Sequence, residues 1–184
     1  MTIIITYFVH GTTTDNENGI STGWNHGGLS KPGREQCIEL KTLIKNIEFD
    51  VVFSSDLKRA IDSAQLTFGN RHIPIIEDER LRECDYGDLN GADSKKVKSM
   101  AMSCIDNPFP NGESHKDVEK RVRNLLEDIH MKYQNKNIAV VSHKAPQLAL
   151  DVIIKGKNWK EAIKEDWRLK NPKEWRPGWN YTFG

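Results

Sequence analysis

The chain has 184 residues, 37% hydrophobic and 29% charged, proportions that exclude a disordered or low-complexity protein and suit one folded domain over residues 1–184. Its 27 Lys and Arg nearly balance 26 Asp and Glu, for a formal net charge of +1, which argues against a nucleic-acid partner while leaving room for a local anion pocket. The 3 cysteines are scattered, the first apolar run is too short for a signal peptide, and no stretch approaches the ~20 apolar residues of a membrane span, so a cytoplasmic protein without disulfide scaffold or membrane partner is expected.

Ile3 to Val9 is a β-branched and aromatic run of strand length that stops at His10-Gly11. Thr12 to Gly28 is polar and rich in Thr, Asn and Gly, a long functional loop. Ser30 caps a helix with Pro32 in its first turn and Cys37, Leu40, Leu43 and Ile44 as its buried stripe. Phe49 to Phe53 reads as a second strand, and Leu57, Ala60, Ile61 and Ala64 follow at helical spacing. Ile73 to Ile76 is a short third strand, placed at an edge by its proline. Leu81 to Gly91 is a loop, Ser94 to Cys104 a weak helix and 107–112 a connector. Ser114 with Asp117 forms a capping box that opens a helix through Val118, Val122, Leu125, Leu126 and Ile129. Ile138 to Val141 is a buried strand, followed by Ser142-His143 and a helix with Pro146 in its first turn. Strands alternating with helices imply a mostly parallel sheet covered on both faces.

Ligands of such a sheet bind beyond the carboxyl ends of its strands. His10 ends the first strand, Arg59 opens the helix after the second, Glu83 lies in the loop after the third and His143 ends the last. Together they form an anion-handling set. By periodicity alone Arg59 lies opposite its helix's apolar stripe and is a solvated residue, and Glu83 alone is a surface loop charge. The tail holds Trp159, Trp167, Trp175 and Trp179. It reads as a segment packed across the sheet edge, with a wall over an apolar substrate group as the alternative. His26, His72, His115 and His130 read as surface residues, and no pair of them has metal-ligand spacing.

Six motifs in chain order resemble the histidine phosphatase (phosphoglycerate mutase-like) superfamily. They are Val9-His10-Gly11-Thr12-Thr13 with Asn16; Leu29-Ser30 with Gly33 and Gln36; Ser54-Ser55-Asp56-Leu57-Lys58-Arg59-Ala60; Leu81-Arg82-Glu83 with Tyr86-Gly87 and Gly91; Gly112-Glu113-Ser114 with Arg121-Val122; and Val140-Val141-Ser142-His143. The resemblance implies a three-layer α/β/α sandwich of phosphoglycerate mutase type. It implies a phosphatase in which His10 attacks phosphorus and carries the phosphoryl group as phosphohistidine. Arg59, His143, Thr13 and Asn16 are then implied as phosphate-binding residues, and Glu83 as the acid for the leaving oxygen. A mutase and a non-catalytic phospho-ligand binder of the same fold are the alternatives. The implied substrate is a small phosphomonoester, and the chemistry calls for no cofactor and no metal ion.

The sequence departs from the family pattern at three places. Val9 stands where the family has Arg, Thr12 where it has Glu or Gln, and Lys144 where Gly is common. Losing one charged hydrogen bond to phosphate costs roughly 1.5–3 kcal/mol, one to two orders of magnitude in rate. Lys144 is a candidate to restore part of that charge.

Overall fold

The computed structural model describes residues 2–171, 175 and 178–184. In chain order the elements are β1 (Ile3–Val9), α1 (Thr14–Glu17), β2 (Ile20–Ser21), α2 (Lys31–Leu43), β3 (Val51–Ser54), α3 (Lys58–Phe68) and β4 (Ile75–Glu77). They continue with β5 (Ala92–Asp93), α4 (Ser94–Met100), α5 (His115–Lys132), β6 (Asn137–Ser142), α6 (Lys144–Ile153), α7 (Trp159–Lys164) and β7 (Trp179–Phe183). Five strands form a sheet in the order β4-β3-β6-β1-β7, all parallel except β7, which runs antiparallel to β1. The two-residue strands β2 and β5 pair separately.

The period-2 alternation of each strand decides which layer a side chain joins. Ile3, Ile5, Tyr7, Val51, Phe53, Ile138 and Val140 face the larger core, which α5 fills with Val118, Val122, Leu125 and Ile129 and α6 with Leu148 and Ala149. Phe8, Val52, Ala139 and Val141 face the opposite layer, onto Leu40 and Ile44 at α2 and Ala64 and Phe68 of α3. Strands buried on both faces read as continuous apolar runs, which is why β3 and β6 stand out in the sequence. The result is the expected α/β/α sandwich.

The caps also follow the sequence. The Ser30 hydroxyl accepts the Gly33 N–H at 3.3 Å at the start of α2, and Ser114 and Asp117 form the capping box of α5.

Several boundaries and burials differ from the sequence reading. β3 starts at Val51, because Phe49 turns into the smaller core ahead of the strand. β4 starts after Pro74, which has no N–H to give and instead accepts the Val52 N–H at 2.9 Å; the strand is at the sheet edge, as its proline indicated. Leu43 is 59% exposed, since three residues beyond Leu40 the helix has rotated it off the stripe. His115, read as a surface residue, is 4% exposed and packs edge-on to Trp159, whereas His26 and His72 are exposed and His130 half-buried. The strand β7 was missed: Trp179 and Tyr181 alternate with Asn180 and Thr182, and the two rings are buried. No described helix is long and apolar enough to cross a membrane.

Candidate active site

Three adjacent parallel strands deliver their next residues to one rim. His10 follows β1, Ser55 follows β3 and His143 follows β6, and backbone bonds carry the sheet into the site. The His10 N–H donates to the Ser142 carbonyl at 3.0 Å, and the Ser55 N–H to the Val141 carbonyl at 3.0 Å. The loop after His10 is clamped onto α2. A Cβ on Gly11 would lie 2.3 Å from the Gly33 carbonyl oxygen, so both positions need glycine for backbone contact. The Gly11 N–H donates to Ser63 Oγ at 3.0 Å and the Thr12 N–H to Gln36 Oε1 at 2.9 Å. Gly33 and Gln36, which carried part of the resemblance, therefore position the His10 loop.

His10 Nδ1 lies 2.7 Å from the Gly11 carbonyl oxygen. A carbonyl only accepts, so Nδ1 carries the proton and Nε2 keeps its lone pair. Burial, reinforced by the Arg59 charge, pushes the pKa of His10 down to about 3, which leaves the imidazole neutral near pH 7. His143 packs behind it, with ring centroids 5.1 Å apart. Its Nε2 is 2.8 Å from Ser55 Oγ, while its buried Nδ1 has no partner among the described residues. Burial, then Arg59 and His10, holds its pKa well below the usual histidine value. The Tyr7 hydroxyl, donating to the His143 carbonyl at 2.7 Å, fixes the turn between β6 and α6.

Arg59 is 2% exposed, contrary to its solvated reading from helix periodicity. The loop after β2 folds over the start of α3, and the guanidinium donates to the Gly23 carbonyl at 2.7 Å and the Asn25 carbonyl at 3.4 Å. Those acceptors are neutral, so the positive charge stays available. Burial lowers its pKa from the ordinary arginine value, with Glu83 opposing that shift.

Glu83 is 8% exposed rather than a free surface charge. Its Oε1 accepts the N–H groups of Cys84 at 3.0 Å and Ala145 at 2.9 Å, and Oε2 accepts that of Lys144 at 3.2 Å. The carboxylate thus sits on the first turn of α6. Trp24 Nε1 and Arg121 Nη2 donate to its backbone carbonyl at 2.7 and 3.0 Å. Arg121 is itself paired with Glu113 at 2.9 Å, which gives the Gly-Glu-Ser motif a structural role behind the site.

A cavity of about 520 Å³ opens over these groups, with His10, Arg59, Glu83 and Asn16 in its wall. Thr13 does not reach it. Fully buried, Thr13 caps α1, its hydroxyl oxygen accepting the Asn16 N–H at 3.0 Å while Asn16 Oδ1 accepts the Thr13 N–H at 3.1 Å. Its geometry is that of a cap supporting Asn16. His143 also stays behind the wall, adjoining it through His10. Lys144 lines the cavity with Nζ 3.7 Å from Asp166 Oδ2.

β7 packs on the sheet edge, and Trp167, Trp175 and Trp179 also line the cavity. Arg168 lines it too, and sequence reasoning passed over that residue. The available signal was weak, a charged residue beside Trp167 in a segment without a recognised element. Among the described residues no group of three His, Cys, Asp or Glu side chains is placed to hold a metal ion.

Neutral buried imidazoles make a testable demand on stability. An unfolded histidine titrates near pH 6.5, whereas folded His10 stays neutral to about 3 and His115 to about 4. Below 6.5 the unfolded chain therefore takes up protons that the fold refuses. The contribution to stability is complete above 6.5 and is lost as the pH falls towards those lower values. Each such group removes about 1.4 kcal/mol per pH unit in that window. The urea midpoint should fall steeply from pH 6.5 to 5, and His10→Asn should flatten the slope by one proton's share. A level midpoint across that window contradicts the neutral burial of these rings.

The family model for the histidine phosphatase superfamily (branch 1) matches residues 7–171. An uncharacterized phosphatase, PhoE of Bacillus subtilis, is 30% identical over 147 residues, covering 80% of this chain and 75% of its own. A 2,3-bisphosphoglycerate-dependent phosphoglycerate mutase of Parvibaculum lavamentivorans is 34% identical over 126 residues, covering 61% of this chain; the match spans 60% of that protein. Among solved structures, Bacillus stearothermophilus YhfR superimposes with a TM-score of 0.78 at 24% identity over 87% of this chain and 83% of its own, a likeness of fold.

Proposed function

The chain belongs to the histidine phosphatase superfamily (branch 1), and from that premise we propose that it hydrolyses a small phosphomonoester through a phosphohistidine on His10, without a metal ion. The observation that carries the reading is the tautomer of His10. The Gly11 carbonyl holds the proton on Nδ1 and so leaves a neutral Nε2 lone pair, in a cavity shared with Arg59 and Glu83.

In the first step Nε2 attacks phosphorus, the P–O bond to the alcohol breaks, and the protonated Glu83 carboxyl gives its proton to the leaving oxygen. In the second, the Glu83 carboxylate takes a proton from water as that water attacks phosphorus. The P–N bond breaks, inorganic phosphate leaves, and His10 returns to its neutral form. Arg59 binds the equatorial oxygens in a site whose cations are fixed before substrate arrives, so little reorganisation accompanies the charge movement. His143, behind His10, offers its Nδ1 edge to the same oxygens once they are seated. Cys37, Cys84 and Cys104 are free thiols, which suits the cytoplasmic setting included in this proposal.

The alternative is a phosphoglycerate-type mutase, the activity in the name of the Parvibaculum relative. The test is phosphate release from p-nitrophenyl phosphate and a panel of phosphorylated metabolites, with and without EDTA, and with a monophosphoglycerate acceptor. Release that survives EDTA is expected. Loss of release in EDTA with rescue by a divalent metal ion overturns metal-independent catalysis. Isomerised phosphoglycerate formed in place of free phosphate establishes the mutase. Phosphate binding without turnover establishes a non-catalytic binder.

A further inference from the structure

We propose that Arg168, reaching the cavity from the tail, supplies a second guanidinium that grips the phosphoryl group at His10 through its Nε–Nη2 edge; this rests on the reading of His10 as the phosphoryl acceptor. Position 9 contributes no charge there. Val9 lines the cavity and packs on the larger core. Val9 and Tyr7 are two residues apart in β1 and so share one face of the sheet. On that face the Trp179 ring packs edge-on to Tyr7, with centroids 6.5 Å apart, and the Arg168 guanidinium carbon lies 5.2 Å from the Trp179 ring. The tail therefore brings a cation beside the strand end that lacks one. Its charge also reaches His10, where it acts with Arg59 against protonation.

The fork is held in place and only partly used. Nη1 donates to Asp166 Oδ1 at 2.6 Å and to Gln147 Oε1 at 3.2 Å, and Nη2 donates to Gln147 Oε1 at 3.2 Å. A guanidinium carries five N–H groups. The Nε hydrogen and one Nη2 hydrogen have no hydrogen-bond partner among the described residues. Those two lie along a single edge, the geometry that meets two oxygens of a phosphate side by side. The anchor is firm, since Gln147 is 2% exposed and its Nε2 donates to the Tyr181 hydroxyl at 2.9 Å. Charge is left over as well. Asp166 is shared between Arg168, at 2.6 Å, and Lys144, at 3.7 Å, so two cations face one carboxylate.

Inorganic phosphate, titrated as a ligand and as a competitive inhibitor, is the probe. Arg168→Gln should weaken its binding roughly 10- to 100-fold, the weight of a charge-assisted hydrogen bond, and lower kcat/KM on p-nitrophenyl phosphate by a similar factor. Arg168→Lys, which keeps the charge and loses the fork, should fall between the two. Val9→Arg combined with Arg168→Gln should regain most of the lost affinity. Wild-type affinity in a folded Arg168→Gln variant overturns the proposal, as does a folded double variant no better than the single one. A wild-type measurement covers the case in which the variant tail fails to fold. Phosphate should shield Arg168 from phenylglyoxal, read by peptide mass, and equal modification with and without phosphate overturns the assignment. Phosphate binding is read without turnover, so the two readings fail separately. A missing phosphoenzyme with the Arg168 effect intact rejects the His10 chemistry alone, and an intact phosphoenzyme with no Arg168 effect rejects this inference alone.

Discussion

His10→Ala is expected to remove measurable turnover, a loss on the order of 10⁴- to 10⁶-fold, as for a nucleophile whose removal disables the rest of its catalytic unit. Among the described residues the side chain makes a single ring hydrogen bond, to the Gly11 carbonyl. The loop around it is held independently by Ser63 and Gln36. The variant should therefore stay folded and keep its affinity for inorganic phosphate, which on the proposed reading is held by Arg59 without the imidazole. Stability below pH 6.5 should improve, because the variant no longer buries a neutral ring that the unfolded chain would protonate. Turnover within tenfold of wild type would remove His10 from the chemistry.

The second large effect belongs to Glu83→Gln, and its size should depend on the substrate. General acid catalysis contributes ~10²- to 10⁴-fold where the leaving oxygen is basic, and far less where it is not. Alkyl phosphates should lose activity in that range, whereas p-nitrophenyl phosphate should lose little. The carbonyl of glutamine can still accept the Cys84 and Ala145 N–H groups, but its NH₂ then meets the Lys144 N–H, donor against donor. A modest loss of stability should accompany the kinetic effect, of about 1–3 kcal/mol for one disrupted bond at a buried carboxylate. An equal loss on every leaving group assigns Glu83 to support of the α6 turn and leaves the proton to another group.

The sheet and the two rings on its rim were legible because strands buried on both faces leave long apolar runs and His10 and His143 directly follow two of them. Arg59 was legible from its place after the second strand and from its motif, against the solvated reading that helix periodicity gives it. Its burial comes from the loop at Gly23 and Asn25 closing over it, a contact across more than thirty residues that no helical period contains. Thr13 shows the reverse case. A family motif marks the position, and the local geometry assigns its hydroxyl to the cap of α1. His115 was misread because burial of a single helix residue depends on what packs against it, here Trp159, whereas Leu43 lies off its helix's buried stripe. β7 and Arg168 were missed together. A short edge strand and the cation before it carry little local pattern, and both acquire meaning only once the tail returns to pair with β1.

Trapping the covalent intermediate tests the central claim most directly. A brief incubation with substrate, quenched in alkali, should leave one phosphoryl group on the peptide containing His10. The label should be stable in alkali and lost in acid, as expected of a phosphoramidate, and it should be absent from His10→Ala. A label that survives acid, one lost in alkali as an acyl phosphate would be, or one that persists in His10→Ala contradicts phosphoryl transfer through this histidine.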